Sequence, residues 1–327
     1  MFSDVFVFGT RIFDDPIIIF CKRWSLFNVE GPVSGLEVMH PIVERLRTEA
    51  VIWLIPCPWT AEDKWAANVY QRTVDAIKRI APPHRIIVLA NTKAELYNLT
   101  VLGFDAIFAN QNQFADRRKF FPLLDTDRCY DAVYNARFRK YKRHHLASQI
   151  NALLLIGYTF EGAEFESVID SLPRAAYVNR QANAWNELSM HEVNASLNKA
   201  HVGLCLSRVE GAMTASIEYL LAGLPVVTTP NRGGRDVFFD TKYCRWVDSN
   251  ATDVARAVAH LRAEEIPPAE IRHSTIAKIK EANSEFIYFL AHKLGIDETE
   301  LRKRFERSMN HRLAEPKCLE QFVTVSK

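Results

Sequence analysis

From about residue 131 onward, short apolar or β-branched runs alternate with amphipathic stretches of helical length. A short apolar run predicts a buried strand, whereas apolar residues spaced three or four apart predict a helix. Strands are therefore predicted at 131–138, 152–158, 174–178, 201–207, 224–229 and 243–247. Helices are predicted between them at 144–150, 164–172, 189–199, from Gly211 to Gly223, and at 251–263. Such alternation favours a parallel, doubly wound sheet.

The first part of the chain shows the same alternation less regularly, with strands predicted at 50–56, 85–90 and 105–109 and helices at 36–47, 66–80 and 93–102. The segment 120–128, with Pro122 and several charged residues, is the predicted linker. After Pro267 and Pro268 a charged helical pattern runs to about Arg312. It is too long and too polar on one side to cover a strand, and we expect it to cross back to the first domain. The predicted domains are 1–127, 128–283 and the helical segment 284–327.

The composition is that of a folded protein with two domains. A chain of 327 residues suits two domains of about 150 residues with a cleft between them. The 41 Lys and Arg residues barely exceed the 39 Asp and Glu residues, so no global positive field is available to attract a nucleic acid. The six cysteines form no C-x-x-C pair, which favours a reduced, cytoplasmic location. No window reaches about 18 uninterrupted apolar residues, so neither a signal peptide nor a membrane span is predicted.

Two glutamates carry the clearest chemical signal. Glu210 follows a predicted strand, and Glu218 lies eight positions later inside the predicted helix. Gly211 stands where this helix opens, so the backbone can approach a ligand and the first N–H groups of the helix can meet an anion. Carboxylates accept hydrogen bonds from vicinal hydroxyls, and the pair therefore predicts a nucleotide-sugar site. The competing interpretation makes Glu218 a partner of the helix dipole and Glu210 an ordinary loop residue.

A basic run follows the first strand of the second domain. Residues 134–144 read Tyr-Asn-Ala-Arg-Phe-Arg-Lys-Tyr-Lys-Arg-His, so several cations converge within one loop. These cations could clamp a diphosphate and neutralise the charge of a departing nucleotide. A solvated basic loop and a nucleic-acid patch with interleaved tyrosines are the alternatives.

Together these motifs resemble the GT-B glycosyltransferases of the retaining, family-4-like group, also called glycosyl transferases group 1. That group carries two glutamates separated by seven residues, as Glu210 and Glu218 are, with Leu-Ser, Glu-Gly, Ala-Gly-Leu-Pro-Val-Val and Gly-Gly elements in the same order. It also carries an arginine and a lysine five positions apart, which Arg137 and Lys142 match. The resemblance extends over roughly residues 128–262. It implies an α/β GT-B fold, with two Rossmann-like domains facing a central cleft and the N-terminal domain reduced.

The resemblance also implies a role for each matching residue. Glu210 would contact the hydroxyls of the donor sugar, and Glu218 would hold the ribose of the nucleotide. Arg137 and Lys142 would bind the diphosphate, so that they and Glu210 form the implied catalytic set. Arg235 stands where relatives carry a glutamate after Gly-Gly, and it either adds a phosphate contact or forms a surface salt bridge. The backbone that meets sugar and phosphate would be that of Gly211, Ala212, Met213 and Thr214.

The first domain offers two further candidates, Gly35 and Asn91. Gly35 ends a short loop before the first long predicted helix, where relatives carry a glycine loop. Asn91 follows the strand 85–90, at the end where many relatives carry a histidine, whereas His84 lies at the opposite end of that strand.

The triplet Asp125-Thr126-Asp127 has the D-x-D form with which metal-dependent GT-A transferases hold manganese. It lies in the predicted linker and not directly after a buried strand, so we expect no metal. No cofactor is expected either, because a nucleotide sugar is a substrate.

The resemblance thus implies a retaining, metal-independent glycosyltransferase that moves a sugar from a nucleotide-sugar donor to a glycan or lipid-linked acceptor, in surface polysaccharide or glycolipid synthesis. A weak or inactive GT-B scaffold that retains the donor site is the alternative. A nucleotide-sugar epimerase of related fold would need acid and base residues that the first domain does not reveal. Nucleic acid is not an expected partner. A peripheral contact of the segment 117–121, Arg-Arg-Lys-Phe-Phe, with the inner face of an anionic membrane competes with a solvated helix end.

Overall fold

The chain folds into two compact α/β units. The computed structural model describes residues 6–7, 9–21, 43–157, 162–181, 184–310 and 317–318. The first unit comprises Met1–Asp116 together with Glu281–Lys327, and the second comprises Arg117–Lys280. The divisions therefore lie at 116/117 and 280/281, whereas the predicted boundaries are 127/128 and 283/284.

Strands and helices alternate through both units. In chain order the strands are β1 (Phe6–Val7), β2 (Gly9–Asp14), β3 (Ile17–Cys21), β4 (Val51–Pro56), β5 (Arg85–Ala90), β6 (Ala106–Phe108), β7 (Tyr130–Asn135), β8 (Leu153–Ile156), β9 (Ala176–Tyr177), β10 (Arg180–Gln181), β11 (Ala184–Trp185), β12 (Ala200–Cys205), β13 (Val226–Thr228), β14 (Cys244–Trp246) and β15 (Lys317–Cys318). The α-helices are α1 (Lys64–Ile80), α2 (Lys93–Val101), α3 (Gly162–Ser171), α4 (Met190–Asn198), α5 (Thr214–Leu221), α6 (Ala251–Ala263), α7 (Pro268–Leu294) and α8 (Glu298–Asn310). Short 3-10 helices lie at Gln111–Phe114, Lys140–Lys142 and His144–Ala147.

The sheet of the first unit has the order β2-β3-β4-β5-β6. β2 and β3 pair antiparallel, and the strands from β3 to β6 run parallel. The predicted strands 50–56, 85–90 and 105–109 are confirmed as β4, β5 and β6. The β2–β3 hairpin has no counterpart among the predictions, and most of the predicted helix 36–47 lies outside the described residues.

Apolar residues cover both faces of this sheet, because successive side chains of a strand point to opposite faces. Trp53 and Val88 lie in one buried cluster with residues of α1. Leu54 and Leu89 lie in another cluster with residues of α7 and α8, namely Phe286, Ile287, Leu290, Ala291, Leu301 and Phe305. The expectation that the C-terminal helical pattern is too polar to cover a strand is therefore wrong. The pattern carries a narrow apolar stripe, and Gly295, with φ of +64°, lies between its two helices.

The sheet of the second unit has the order β14-β13-β12-β7-β8-β9, with every pairing parallel. This confirms the doubly wound sheet that the alternation predicts, although the strands are shorter than predicted. Gly223 ends the turn after α5 with φ of +76°, as expected of a C-cap glycine, and an added Cβ would lie 2.6 Å from Pro268 Cβ. The short antiparallel pair of β10 and β11 has no counterpart among the predictions.

Candidate functional site

Three loops meet at the carboxyl edge of the second sheet. β13, β12 and β7 are consecutive and parallel, so the segments that follow them lie at the same edge. These segments contain the basic run after β7, the Glu210 loop after β12 and the Gly233–Gly234 loop after β13. This edge is where doubly wound sheets bind ligands.

Lys142 and Glu210 form a buried ion pair at this edge. Lys142 Nζ contacts Glu210 Oε1, and the two residues are only 7% and 6% exposed. Hydrogen bonds hold the loop backbone at both residues, because the Tyr134 hydroxyl donates to Lys142 O at 2.7 Å and Glu210 N–H donates to Arg232 O at 2.9 Å. Deleting either partner of a buried pair leaves the other charge unpaired and away from water, which strongly destabilises the folded protein. The structure thus brings together two of the three residues predicted to be catalytic.

Gly233 lets two of the loops pack backbone against backbone below Glu210. Val209 and Arg232 form a parallel bridge, and Gly234 N–H donates to Gly211 O at 2.8 Å. Gly233 has φ of +110°, and a Cβ on it would lie 1.8 Å from Glu210 O. Only glycine fits such a position. The Gly-Gly element of the sequence motif therefore has a steric role in placing Glu210.

Helix α5 begins at Thr214, and Met213 precedes it in the left-handed conformation with φ of 47°. Gly211, Ala212 and Met213 are buried, whereas Thr214 is exposed. Glu218 is partly exposed and lies four positions after Thr214, on the same face of the helix. The first N–H groups of a helix have no acceptor within it, so this end of α5 can attract an anion.

Arg137 is the third residue predicted to be catalytic. Its side chain is exposed, and it lies in the loop between β7 and the 3-10 turn that carries Lys142. Arg137 O accepts from Arg139 N–H at 2.9 Å, which tightens the loop immediately after the strand. The structure thus places an exposed arginine at the same sheet edge as the buried Lys142.

Arg235 does not occupy the position predicted for a donor contact. It is 0% exposed, and its guanidinium donates to Ser207 O at 2.5 Å, Ser207 Oγ at 2.8 Å, Thr229 O at 2.5 Å and Thr228 Oγ1 at 3.0 Å. Both predictions for Arg235, a phosphate contact and a surface salt bridge, are therefore wrong. Arg235 ties the ends of β12 and β13 together inside the protein.

Arg143 has a comparable role that the sequence does not predict. It takes the left-handed conformation with φ of 53° directly after Lys142. Its guanidinium donates to Leu206 O at 2.6 Å, Thr229 Oγ1 at 2.7 Å and Ser249 Oγ at 3.0 Å. Burial lowers the pKa of Arg143, and the nearby Arg235 charge lowers it further. Arg143 thereby links the loop of Lys142 to the segment that leads to Glu210.

His144 is a neutral packing residue beside this site. It is 3% exposed, and its ring lies 4.8 Å from the Tyr134 ring and 5.4 Å from the Phe138 ring. Burial lowers the pKa of His144 to about 3, and the Lys142 charge acts in the same direction. The imidazole is therefore uncharged near neutral pH.

The first unit contains the other two predicted site residues, Asn91 and Gly35. Asn91 is completely buried: its Nδ2 donates to Cys57 O at 2.6 Å, and its Oδ1 accepts from Gln111 N–H at 2.9 Å. The Asn91 side chain therefore joins loops of its own sheet. His84 lies just before β5, as the sequence indicates, and its Nδ1 accepts from Trp53 Nε1–H at 3.0 Å. Gly35 lies outside the described residues.

The remaining predictions concern metal and membrane. Asp125 and Asp127 are exposed, and within the described ranges no group of three or more His, Cys, Asp or Glu residues could hold a metal ion. In the segment 117–121, Phe120 is only 4% exposed, so its ring cannot contact a bilayer, although Arg118 and Lys119 are exposed. Across the part of the chain that is described, no helix is long and apolar enough to cross a membrane.

A known protein-family model matches the second α/β unit. The family model "Glycosyl transferases group 1" matches residues 119–282, which is half of the chain. The search of curated protein sequences found no significant match.

Solved glycosyltransferase structures share the fold. HepE from Anabaena in complex with UDP is 12% identical with a TM-score of 0.55, covering 86% of this chain and 85% of HepE. Sucrose-phosphate synthase from Thermosynechococcus elongatus is 17% identical with a TM-score of 0.52, covering 84% of this chain and 72% of the synthase. TarM is 14% identical with a TM-score of 0.52, and the match covers 80% of this chain but only half of TarM. These neighbours have the GT-B fold, and the match extends over both α/β units.

Proposed function

The chain belongs to the glycosyl transferases group 1 family, and from this premise we propose that it transfers a glycosyl group from a nucleotide-sugar donor to a glycan or lipid-linked acceptor. The proposal includes retention of anomeric configuration and catalysis without a metal. The observation that carries it is the buried Lys142–Glu210 pair at the carboxyl edge of the second sheet, beside the start of α5. This arrangement sets a cation, a carboxylate and a helix N-terminus at the edge where a sugar diphosphate would bind.

The donor would lie along this edge with its charged and hydroxyl groups matched to different residues. Arg137 and Lys142 would face the diphosphate, Glu210 would accept from the sugar hydroxyls, and Glu218 would accept from the ribose. An ammonium group has three N–H donors, so Lys142 can keep one bond to Glu210 while another serves a phosphate oxygen. HepE, solved with UDP and with UDP-glucose, supports uridine nucleotides as the first donors to test.

The proposed reaction breaks the bond between the anomeric carbon and the diphosphate oxygen. The acceptor hydroxyl oxygen forms the new bond on the same face of the sugar, and its proton passes to the departing diphosphate. Negative charge therefore develops on the diphosphate as the bond breaks, where Arg137, Lys142 and the α5 N-terminus would stabilise it. Since the protein itself supplies these positive groups, we propose that no metal is required.

A lipid-linked acceptor would bring the protein to a membrane surface. The structure leaves Arg118 and Lys119 exposed, but it buries Phe120, so any contact through this segment would be electrostatic. Flotation with anionic liposomes should then occur at low salt, and it should be weakened in the variant Arg118→Ala/Lys119→Ala. Flotation that does not respond to either change would exclude this segment as the contact.

Ligand-dependent thermal stability tests the donor site. UDP, ADP, GDP and CDP, each with its glucose derivative, are titrated against the native protein and the variants Glu218→Ala and Arg137→Ala. A ligand at a hundred times its dissociation constant should add about 2.7 kcal/mol to the unfolding free energy of the native protein. Both variants should bind the ligand more weakly and show a smaller shift.

Two exposed residues far from this edge provide matched controls. Glu270→Ala, near the start of α7, and Arg174→Ala, before β9, remove the same charges without touching the proposed site. Both should keep the native shift. If no nucleotide stabilises the native protein, the donor site is overturned. If nucleotides bind but no glucose derivative releases its diphosphate with any acceptor, the scaffold alternative gains support.

A further inference from the structure

Asn135 is the last residue of β7 and is partly exposed. Its Nδ2 donates to Glu218 Oε2 at 3.3 Å. The sequence motifs assign Asn135 no role, because it is an uncharged residue within the basic run 134–144. A hydrogen bond to a carboxylate is stronger than one between neutral groups, so this contact can influence how Glu218 is held.

The backbone of Asn135 is itself tied to the helix that carries Glu218. The hydroxyl of Tyr219, the next residue in α5, accepts from Asn135 N–H at 2.6 Å. Tyr219 is completely buried, and its ring lies so close to Gly203 of β12 that a Cβ there would come within 2.5 Å of it. The packing of Tyr219 between α5 and the sheet therefore fixes the separation between Asn135 and Glu218.

Two neighbouring residues at the end of β7 thus reach the two halves of the candidate site. The Tyr134 hydroxyl holds the backbone of Lys142, and the Asn135 amide holds the carboxylate of Glu218. Glutamate has several rotatable bonds, and ordering such a side chain before the ligand arrives reduces the entropy lost on binding.

We propose that Asn135 is a positioning residue that fixes the Glu218 carboxylate for the ribose hydroxyls of the donor. This inference rests on the proposed function, because it presupposes that the ribose lies at Glu218. It predicts that Asn135 matters only when the ligand carries ribose hydroxyls. A residue that merely stabilises the fold would affect ligands with and without these hydroxyls alike.

The test compares two ligands on native protein and two variants by calorimetry. The first ligand is whichever of UDP, ADP, GDP or CDP stabilises the native protein most, and the second is its 2′,3′-dideoxy counterpart. Asn135→Ala should lower the affinity for the first ligand roughly tenfold and leave the affinity for the second unchanged. Asn135→Asp keeps the side-chain shape but sets a second carboxylate against Glu218, so it should also weaken the first ligand selectively.

Two control variants sharpen the result. Asn198→Ala removes a buried amide that donates to Asn194 O at 2.9 Å and to Phe121 O at 3.1 Å, so it should lower stability without changing the ratio of the two affinities. In a Glu218→Ala background, Asn135→Ala should have no further effect on binding, because the group that it positions is gone.

The inference would be overturned if Asn135→Ala lowered the affinity for both ligands equally, or if it did not lower the affinity for the first. Either result would leave the proposed donor site intact. If none of the four nucleotides binds the native protein, the proposed function fails first, and the inference fails with it. The native protein alone reveals that second outcome, so the two failures are distinguishable.

Discussion

In the first unit, polar residues that follow β5 and β6 turn inward, whereas in the second unit several that follow β7 and β12 remain accessible to solvent. Asn91 and Glu95 are 0% exposed and Asn110 is 1% exposed. By contrast, Arg137 and Thr214 are exposed, and Glu218 is partly exposed. Both sets belong to the carboxyl edge of a parallel sheet. Position at that edge therefore does not by itself make a residue available to a ligand.

The difference lies in how the hydrogen-bonding groups are used. In the first unit, Asn110 Nδ2 donates to Asn91 O at 3.0 Å, and Asn91 N–H donates to Glu95 Oε2 at 2.6 Å. These side chains satisfy backbone groups that burial would otherwise leave unpaired, and that role is structural. In the second unit, Arg143 and Arg235 do the structural work, so Arg137 and Glu218 can remain near solvent.

Loss of the Lys142 charge should cause the largest decrease in stability at the carboxyl edge of the second sheet. Lys142→Met leaves the buried Glu210 carboxylate without its cation, and such a loss costs about 3–5 kcal/mol. Urea denaturation should show this decrease in the unfolding free energy, and nucleotide-dependent stabilisation should disappear. The double variant Lys142→Met/Glu210→Gln should regain most of the stability but not the binding. Equal unfolding free energies of the single and double variants would show that leaving the Glu210 carboxylate without its cation has no energetic cost.

An added methyl group at Gly233 tests the packing of loop against loop. Gly233→Ala combines a left-handed backbone with a Cβ placed 1.8 Å from Glu210 O, so we expect a loss of about 3 kcal/mol in urea denaturation. Gly103→Ala in the first unit is the matched control, because Gly103 has φ of +82° but no atom within 4 Å of an added Cβ. It should cost only about 1 kcal/mol. Equal losses would mean that backbone strain alone matters at Gly233.

Glu95 should make the stability of the first edge depend on pH. Burial raises the pKa of Glu95 to about 7, and the hydrogen bond from Asn91 N–H opposes this rise. Because the folded state favours the protonated carboxyl, the contribution of Glu95 is complete below its unfolded pKa and is lost as pH rises through about 7. Glu95→Gln should match the native protein at acidic pH and exceed its unfolding free energy by about 3 kcal/mol at pH 8. A constant difference between the two proteins would contradict this assignment.

His144 should produce the opposite pH dependence at the second edge. Its folded pKa of about 3 lies below the unfolded value, so the stability associated with neutral His144 is present above the unfolded pKa and is lost as pH falls. His144→Phe keeps an aromatic ring without the titration. Between pH 7 and 4.5 the native protein should lose about 2 kcal/mol relative to this variant in urea denaturation. Parallel losses in both proteins would assign the acid sensitivity to other groups.

The sequence predicts much of the fold because its signals are local. The apolar runs that became β4, β5, β7, β8 and β12 are each visible within a few residues, and Gly223 marks the end of α5. The β2–β3 hairpin carries no comparably regular pattern. The apolar stripe of α7 and α8 is hidden among many charges, and its role appears only where it packs on the first sheet.

Two spacings in the candidate site can be read from the chain, because each is a fixed offset over a short segment. They are the spacing of Glu210 and Glu218 and that of Arg137 and Lys142. The contact between Lys142 and Glu210 cannot be read in this way, since the two residues are 68 positions apart. Nor could the sequence show that the guanidinium of Arg235 points inward while Arg137 stays exposed. Both are arginines after a strand, and only their surroundings distinguish them.

The sequence by itself thus determined the alternation of strands and helices, the family to which the motifs belong and the types of charged group available to a ligand. Only the tertiary structure decided which of these groups are consumed in holding strand ends together and which remain accessible. The physical reason is that periodicity and spacing act over a few residues. Burial and the satisfaction of hydrogen bonds instead depend on partners that folding brings from distant parts of the chain.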